Sequence, residues 1–297
     1  MKERIAFIGA GGVAQALSAA LHQGGYTITA VVSRSMRSAQ RCGSGCGAGV
    51  VSRDVKDIPK DTEIFFITTP DDQIALVAET LFKTGLLTEA TVVIHTSAAM
   101  PASVLDPVKV HGAKTFSFHP MQTFCKGLAP ELAGVAFAFE GDEEAFPLAR
   151  RLAEGLGGWV LKVWPEQKPL YHLGAILASN YLVTLLAQVE KLYGPLGFSR
   201  ETCYRIIEPL ARQSLRNASW LGGERALTGP IARGDLKTVR SHLVTLRERV
   251  PDLTPLYNVL GGLTLKLAQD GGRLDHAGAD RLRKLLAEFE EGLNHSG

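Results

Sequence analysis

Gly9-Ala10-Gly11-Gly12-Val13-Ala14 has the spacing G-x-G-x-x-A, and each small residue has a task if a phosphate is to lie against the chain. Gly9 makes the tight turn, Gly11 lets the backbone approach a pyrophosphate, and Ala14 lets a helix pack closely on a strand. The helix opening at Gly12 and Val13 would turn its N–H groups and positive dipole end toward the phosphates. Roughly twenty residues on, where an NAD-binding chain would place a carboxylate on the ribose, stand Ser33-Arg34-Ser35. With no carboxylate to repel it, a 2′-phosphate fits between Arg34 and the two hydroxyls, so the expected cofactor is NADP(H). Arg37 or Arg41 would add charge.

A hydride acceptor also needs a proton at its oxygen or nitrogen. His119, followed by Pro120 rather than by an obvious turn, is a candidate donor. Lys168 and His172 lie one helical turn apart and project from one face, with Ser179 near the same face. From the residues alone Lys168 reads as a lysine pointing to water; His95 reads equally well as a histidine bonded to nearby backbone, whereas for His119 the functional reading is preferred over that one. Thr68-Thr69 and His95-Thr96-Ser97 are further polar clusters at strand ends, where an open α/β sheet binds its ligands. Thr69 is expected beside the cofactor, and Ser97 and Asn180 beside a small-molecule substrate. Arg233 could clamp a substrate carboxylate, although a surface arginine in a loop fits it as well.

The elements that would position these groups follow from periodicity. Short apolar runs at Arg4–Ile8, Thr27–Val32, Val50-Val51, Glu63–Ile67, Thr91–His95 and Lys114–His119 alternate with helical patterns, which predicts βαβ units and a parallel sheet. Val135–Glu140 alternates as an antiparallel edge pair would, and Trp159–Val163 closes the domain. The helix after strand four should be capped by Asp71 or Asp72, and Gly43–Gly49 reads as a low-complexity loop. After Pro165 only patterns of period near 3.6 remain: Lys168–Tyr193, Ser199–Ser219, Asp235–Leu246 (with Asp235 as N-cap), Thr254–Ala268 and Ala279–Leu293. The prediction is an α/β fold, an N-terminal doubly wound Rossmann sheet over 1–165 followed by an all-helical domain over 166–297.

With 297 residues, 45% hydrophobic and 21% charged, the chain has the composition of a soluble two-domain protein. A net charge of +2 gives no reason to expect nucleic acid or an anionic membrane as partner. Four cysteines, Cys42, Cys46, Cys125 and Cys203, lack the spacing of a metal site and are expected as free thiols. The strand signal by residue 4 leaves no room for a secretory leader, so the expected location is the cytoplasm. Pro169–Val189 carries no Asp, Glu, Lys or Arg and reaches membrane-spanning length, but His172, Ser179, Asn180, Thr184 and Gln188 would be expensive in lipid. A helix buried by its own domain or by a partner subunit is the expectation, and with it a homodimer.

GAGGVAQAL with the later SRS resembles the superfamily of 6-phosphogluconate, β-hydroxyacid, ketopantoate and pyrroline-5-carboxylate oxidoreductases. TPDDQI (69–74), HTSAAMPASVL (95–105), FHPMQTF (118–124), KPLYHLGAILASNYLVTLL (168–186) and LTGPIARGD (227–235) are similar to a bacterial family of Rossmann-like proteins whose helical half is a domain of unknown function. The resemblance implies a Rossmann domain, a helical domain and a nicotinamide cofactor. In the related dehydrogenases and ketopantoate reductases a lysine and an asparagine four residues later supply the acid and the substrate's hydrogen bonds. Lys168 matches that lysine; His172 stands where the asparagine would be. The expectation is a cytoplasmic NADP(H)-dependent reductase of a small carbonyl or imine, a 2-keto acid such as ketopantoate being one candidate. Alternatives are a non-catalytic NADP(H)-binding sensor and, from kinship of the N-terminal domain, hydride exchange with a deazaflavin.

Overall fold

The computed structural model describes residues 2–125 and 127–294, with the side chains of the last helix as far as Phe289. In chain order the first part comprises β1 (Arg4–Ile8), α1 (Gly12–Gln23), β2 (Thr27–Val32), α2 (Met36–Cys46), β3 (Val50–Ser52), β4 (Ile64–Ile67), α3 (Asp71–Phe82), β5 (Val92–His95), α4 (Asp106–Lys109), β6 (Lys114–Pro120), β7 (Ala136–Gly141), α5 (Phe146–Gly155) and β8 (Trp159–Lys162). The strands form one eight-stranded sheet in the order β3-β2-β1-β4-β5-β6-β7-β8. Pairing is parallel throughout except between β6 and β7, which run antiparallel with Ser117 opposite Glu140 and His119 opposite Ala138. The six N-terminal strands thus have the order of a dinucleotide-binding fold. The expected antiparallel partner of β6 is present, but β8 pairs outside it and forms the edge.

Both faces of the sheet are buried. Phe7, Phe66, Phe116, Phe118, Phe137 and Phe139 pack on one face against Leu17 and Leu21 of α1 and Ala149 and Leu152 of α5. Phe65, Ile67 and Val93 meet Ile74, Ala78 and Leu81 of α3 on the other. The Phe7–Phe66 and Phe118–Phe137 rings stack with centroids 5.0 and 4.7 Å apart, adding orientation to the burial of their area.

Two local expectations fail. Gly43–Gly49 is not a loop throughout: α2 runs through Gly43 and Gly45 to Cys46 before Gly47 ends it. Ala39, Cys42 and Cys46 recur at helical spacing and are buried, and Gly43 lies where a Cβ would come within 2.5 Å of Val51, so composition misled where packing decided. Nor does an aspartate cap α3; Pro70 precedes it and the Asp71 carboxylate is bonded by Ser97 instead. All four cysteines are free thiols.

Compactness divides the chain into Met1–Tyr181 and Leu182–Gly297. Strands end near 165, as expected, but α6 (Lys168–Ile176) and the π turn Leu177–Tyr181 that follows it belong to the first unit. The second unit is helical: α7 (Leu182–Tyr193), α8 (Arg200–Leu221), the short α9 (Gly223–Ala226), α10 (Leu236–Arg249), α11 (Thr254–Asp270) and α12 (His276–Asn294). Asp235 caps α10 as expected, accepting from Thr238 N–H at 3.0 Å. Val239, Leu243, Leu265, Leu282, Leu285 and Phe289 make this unit's core.

Pro165–Leu196 is long and apolar enough to cross a membrane, and its most apolar stretch is 0% buried. The expectation that its own domain buries this helix is therefore incorrect. Its register puts Leu170 and Val183 76% and 64% exposed, while Lys168 at its start is buried.

Candidate functional site

Gly9 leaves β1 with φ +111°, and its N–H bonds Val32 O at 2.8 Å. A Cβ there would lie 2.6 Å from the Thr68 carbonyl, so only glycine lets the end of β1 approach the end of β4 so closely. Thr68 ties the same junction through Oγ1, which donates to Gly9 O at 3.1 Å. At Gly11, by contrast, a Cβ would meet no atom of the described residues within 4 Å; it would stand in the mouth of a cleft. The cleft, about 290 Å³, is lined among others by Gly9, Gly11, Ser33, Arg34, Arg53 and Thr69. α1 has no acidic residue in its first turn and no side-chain cap, leaving its leading amides to whatever occupies the cleft. Among the described residues the buried Thr69 hydroxyl has no hydrogen-bond partner, a cost that a ligand oxygen would remove. These features fit a dinucleotide.

The remaining residues expected around the cofactor are placed differently. Gly12 lies under Phe124, where a Cβ would be 3.2 Å from that residue's Cβ and backbone oxygen. Val13 packs against the core of the sheet. Ser35 caps α2, accepting from Ser38 N–H at 3.3 Å. Arg41 lines a second groove, about 720 Å³, that runs along α1 and past Phe124, Cys125 and Gly127–Pro130. The second positive charge of the nucleotide cleft comes instead from Arg53, just after β3.

A second set of polar groups lies on one face of β6 and β7. Alternation puts Phe116 and Phe118 into the core on one side, so Ser117 and His119 share the other, and the antiparallel register adds Glu140 opposite Ser117. Lys168, 3% exposed, reaches this face from the first turn of α6. Its Nζ donates to Ser117 Oγ at 2.8 Å and lies 3.5 Å from Glu140 Oε2. Glu140 also accepts from Ala102 N–H at 2.7 Å, and Ser117 Oγ donates to Ser97 O at 3.1 Å. Burial pushes the Lys168 pKa down, against the pull of the Glu140 carboxylate.

His119 stands nearer the end of β6, half-buried, with Nδ1 3.0 Å from the Tyr171 hydroxyl and the two rings edge to face. Burial first, then the neighbouring Lys168 and His172, lowers the His119 pKa to about 4. The imidazole is therefore neutral near pH 7. Burial raises Tyr171 to about 12, so its hydroxyl keeps its proton. His95 is 0% exposed: Nδ1 accepts from Ser97 N–H at 3.2 Å, which leaves Nε2 to donate to Pro101 O at 3.3 Å. Burial, with Lys168 second, lowers its pKa to about 3. His95 is thus a structural histidine bonded to nearby backbone. The lysine expected to face water on residue statistics is the reverse, a buried ion-pair partner.

The Ser97 hydroxyl is spent on Asp71 Oδ2 at 2.8 Å and accepts from the Ala99 and Met100 amides. His172 is half-buried on α6. Asn180 is exposed in the π turn, its Oδ1 accepting from Ser179 Oγ at 2.9 Å. Arg233 belongs to the second unit, where it borders a shallow hollow with Thr228, Gly229 and Arg273. Among the described residues no group of three or more His, Cys, Asp or Glu side chains is placed to hold a metal ion. Sequence reasoning overlooked Arg53, Ser117, Glu140 and Tyr171. The polar phase of K-T-F-S-F-H and of A-F-A-F-E, read against the phenylalanines, was the available signal for two of them.

Comparison with known proteins agrees with this layout. Residues 2–120 match the Rossmann-like domain family and residues 135–264 the Domain of unknown function (DUF2520). No curated protein matches the chain. A candidate NADP oxidoreductase from Bacteroides fragilis is 24% identical, covering 89% of this chain and 98% of its own, with a TM-score of 0.75. A protein of Thermotoga maritima is 25% identical over 90% of this chain and 98% of its own, with a TM-score of 0.67. A pyrroline-5-carboxylate reductase from Coxiella burnetii, 17% identical, covers 96% of this chain and 99% of its own at a TM-score of 0.59. At these identities the likeness is one of fold. The chain thus pairs a match to the Rossmann-like domain with a match to DUF2520, the same pairing its motifs resemble.

Proposed function

We propose that the chain is an NADP(H)-dependent oxidoreductase that reduces a small carbonyl or imine compound, a 2-keto acid being a reasonable substrate class. The observation that carries this reading is the cleft at the end of β1. Gly11 leaves it open, Thr69 offers it a hydroxyl unpaired among the described residues, and Arg34 supplies positive charge where a 2′-phosphate would lie. NADPH held there would supply the hydride.

The polar face of β6 supports chemistry rather than mere binding, since a sensor needs no group to handle a proton. His119 is the half-buried member of that cluster and, being neutral, would offer an N–H to the oxygen or nitrogen on which charge develops. Tyr171 fixes the ring through Nδ1 and so sets which nitrogen faces the substrate. Lys168 is the competing proton donor, with the depressed pKa such a role requires, but Ser117 and Glu140 already hold its ammonium. In this reading Lys168 positions the cluster, and its charge adds to burial in keeping His119 neutral.

The test is NADPH consumption, followed by absorbance, against a panel of 2-keto acids and cyclic imines. Turnover of at least one class is expected, falling with His119→Ala. Tight NADPH binding with no turnover of any panel member, or turnover unaffected by His119→Ala and lost with Lys168→Met, would contradict the assignment.

The same reading includes a second copy of the chain. Leu170, Leu173, Leu177, Tyr181 and Val183 are all at least half exposed, and an apolar strip of that length is costly to leave in water. A homodimer would cover it.

A further inference from the structure

Arg53 follows β3 directly, and β3 has only three residues, Val50–Ser52. The turn that presents it is well tied. Ser33 N–H donates to Ser52 O at 3.1 Å, joining the ends of β2 and β3. The Ser52 hydroxyl donates to Asp57 and accepts from Asp54 N–H at 3.0 Å, and Asp54 Oδ1 accepts from Lys56 N–H at 2.9 Å. Both nearby carboxylates are thereby occupied within the turn. Arg53 itself reaches back: its Nε donates to the Arg34 carbonyl at 3.1 Å, and both residues line the nucleotide cleft.

Both arginines are exposed, and among the described residues neither forms an ion pair with a carboxylate. Two unneutralised guanidinium groups bordering one cleft repel each other unless an anion lies between them. A phosphate monoester carries roughly −1.5 to −2 charges near pH 7, enough to pair with both forks at once. A ribose hydroxyl would satisfy neither.

We infer that Arg53 is a second guanidinium for the cofactor's 2′-phosphate and that, with Arg34, it sets the preference for NADP(H) over NAD(H). This rests on the reading that the cleft holds a nicotinamide dinucleotide. Arg53 lies on a different strand end from the Ser33-Arg34-Ser35 motif, so it is a determinant that the motif alone does not contain. Because its Nε is anchored on Arg34, the two terminal nitrogens are what remain for the phosphate.

Calorimetric titration with four probes tests it: NADPH, NADH, 2′,5′-ADP and 5′-AMP. For Arg53→Met, a loss of about tenfold or more is expected for NADPH and 2′,5′-ADP, with NADH and 5′-AMP changed by less than about twofold. Arg53→Lys should recover part of the loss, since it keeps charge but not the fork. The difference between variant and wild type should shrink at high salt. Unchanged 2′,5′-ADP binding by Arg53→Met would overturn the inference. So would an equal loss of 2′,5′-ADP and 5′-AMP, which would make Arg53 a stacking partner for adenine. If wild-type protein binds NADH and NADPH equally, the inference fails while the dinucleotide reading stands; if it binds neither, that reading fails. Arg53 is exposed, so a thermal melt matching wild type verifies that the variant folds.

Discussion

Lys168 and Glu140 form a buried ion pair whose side chains are 4% and 8% exposed. Removing one partner strands the other charge in a low-dielectric site, which costs about 3–5 kcal/mol, whereas replacing both with neutral residues of similar size is often near neutral. Lys168→Met and Glu140→Gln should each destabilise the protein by about that amount, while the double variant should cost far less than the sum of the two. With m of roughly 1–3 kcal/mol/M in urea, each single change moves the midpoint by about 2 M. Trp159 and Trp164 lie in the first compact unit and Trp220 in the second, so urea titration by tryptophan fluorescence in a Trp220→Phe background reports the right unit. The pH dependence has a definite sign. Glu140→Gln removes the group that pulls the Lys168 pKa up against burial, so the folded-state pKa falls further below 10.5. The unfolded chain then binds more protons than the folded one between those values, and stability rises with pH across that window. The deficit of Glu140→Gln should therefore be smaller at pH 10 than at pH 7. Single variants within about 1 kcal/mol of wild type, or losses that simply add, would refute the reasoning.

His95 should make the fold acid-labile: the unfolded chain takes up a proton below about 6.5 while the folded one resists until about 3. Stability is lost as pH falls through that window, by several kcal/mol at about 1.4 kcal/mol per pH unit, and a His95→Gln variant melted at pH 7 and pH 4.5 should show a flatter profile. For turnover, the neutral state of His119 means that kcat/KM should show no inflection at the ordinary histidine value of 6.5; a bell limb there would place its pKa elsewhere. Light scattering at micromolar concentration should give twice the chain mass, and Leu173→Glu together with Val183→Glu should shift the protein toward monomer; a strict wild-type monomer removes the dimer.

Much of the sheet was legible because its information is local. Arg4–Ile8, Thr27–Val32 and Lys114–Pro120 are runs of branched or aromatic residues bounded by turn residues, and Gly9 and Gly11 sit in a spacing with a known physical use. The helix through Gly43 was not legible, because glycine-rich composition argues against a helix and only the burial of Cys42 and Cys46 argues for it. The polar cluster on β6 and β7 was half legible. His119 and Lys168 stand out singly, but their environment depends on the Ser117–Glu140 register, a pairing across a sequence gap that periodicity does not encode. Arg53 was invisible for the same reason: only the β2–β3 pairing brings it beside Arg34.

Gly11 offers the most direct test of the central claim, that the cleft at the end of β1 holds the cofactor. Its backbone is extended, with φ −76° and ψ −171°, a conformation any residue adopts, and a Cβ there meets no atom of the described residues within 4 Å. Gly11→Ala should therefore leave the fold within about 1 kcal/mol of wild type, the scale of a changed helix cap. The added methyl group nevertheless stands in the path of the pyrophosphate. Titrating NADPH into wild type and Gly11→Ala, with a melt of each in the absence of cofactor, should show matching melts and a loss of affinity of about tenfold or more. Equal NADPH affinity for the two proteins would contradict the account.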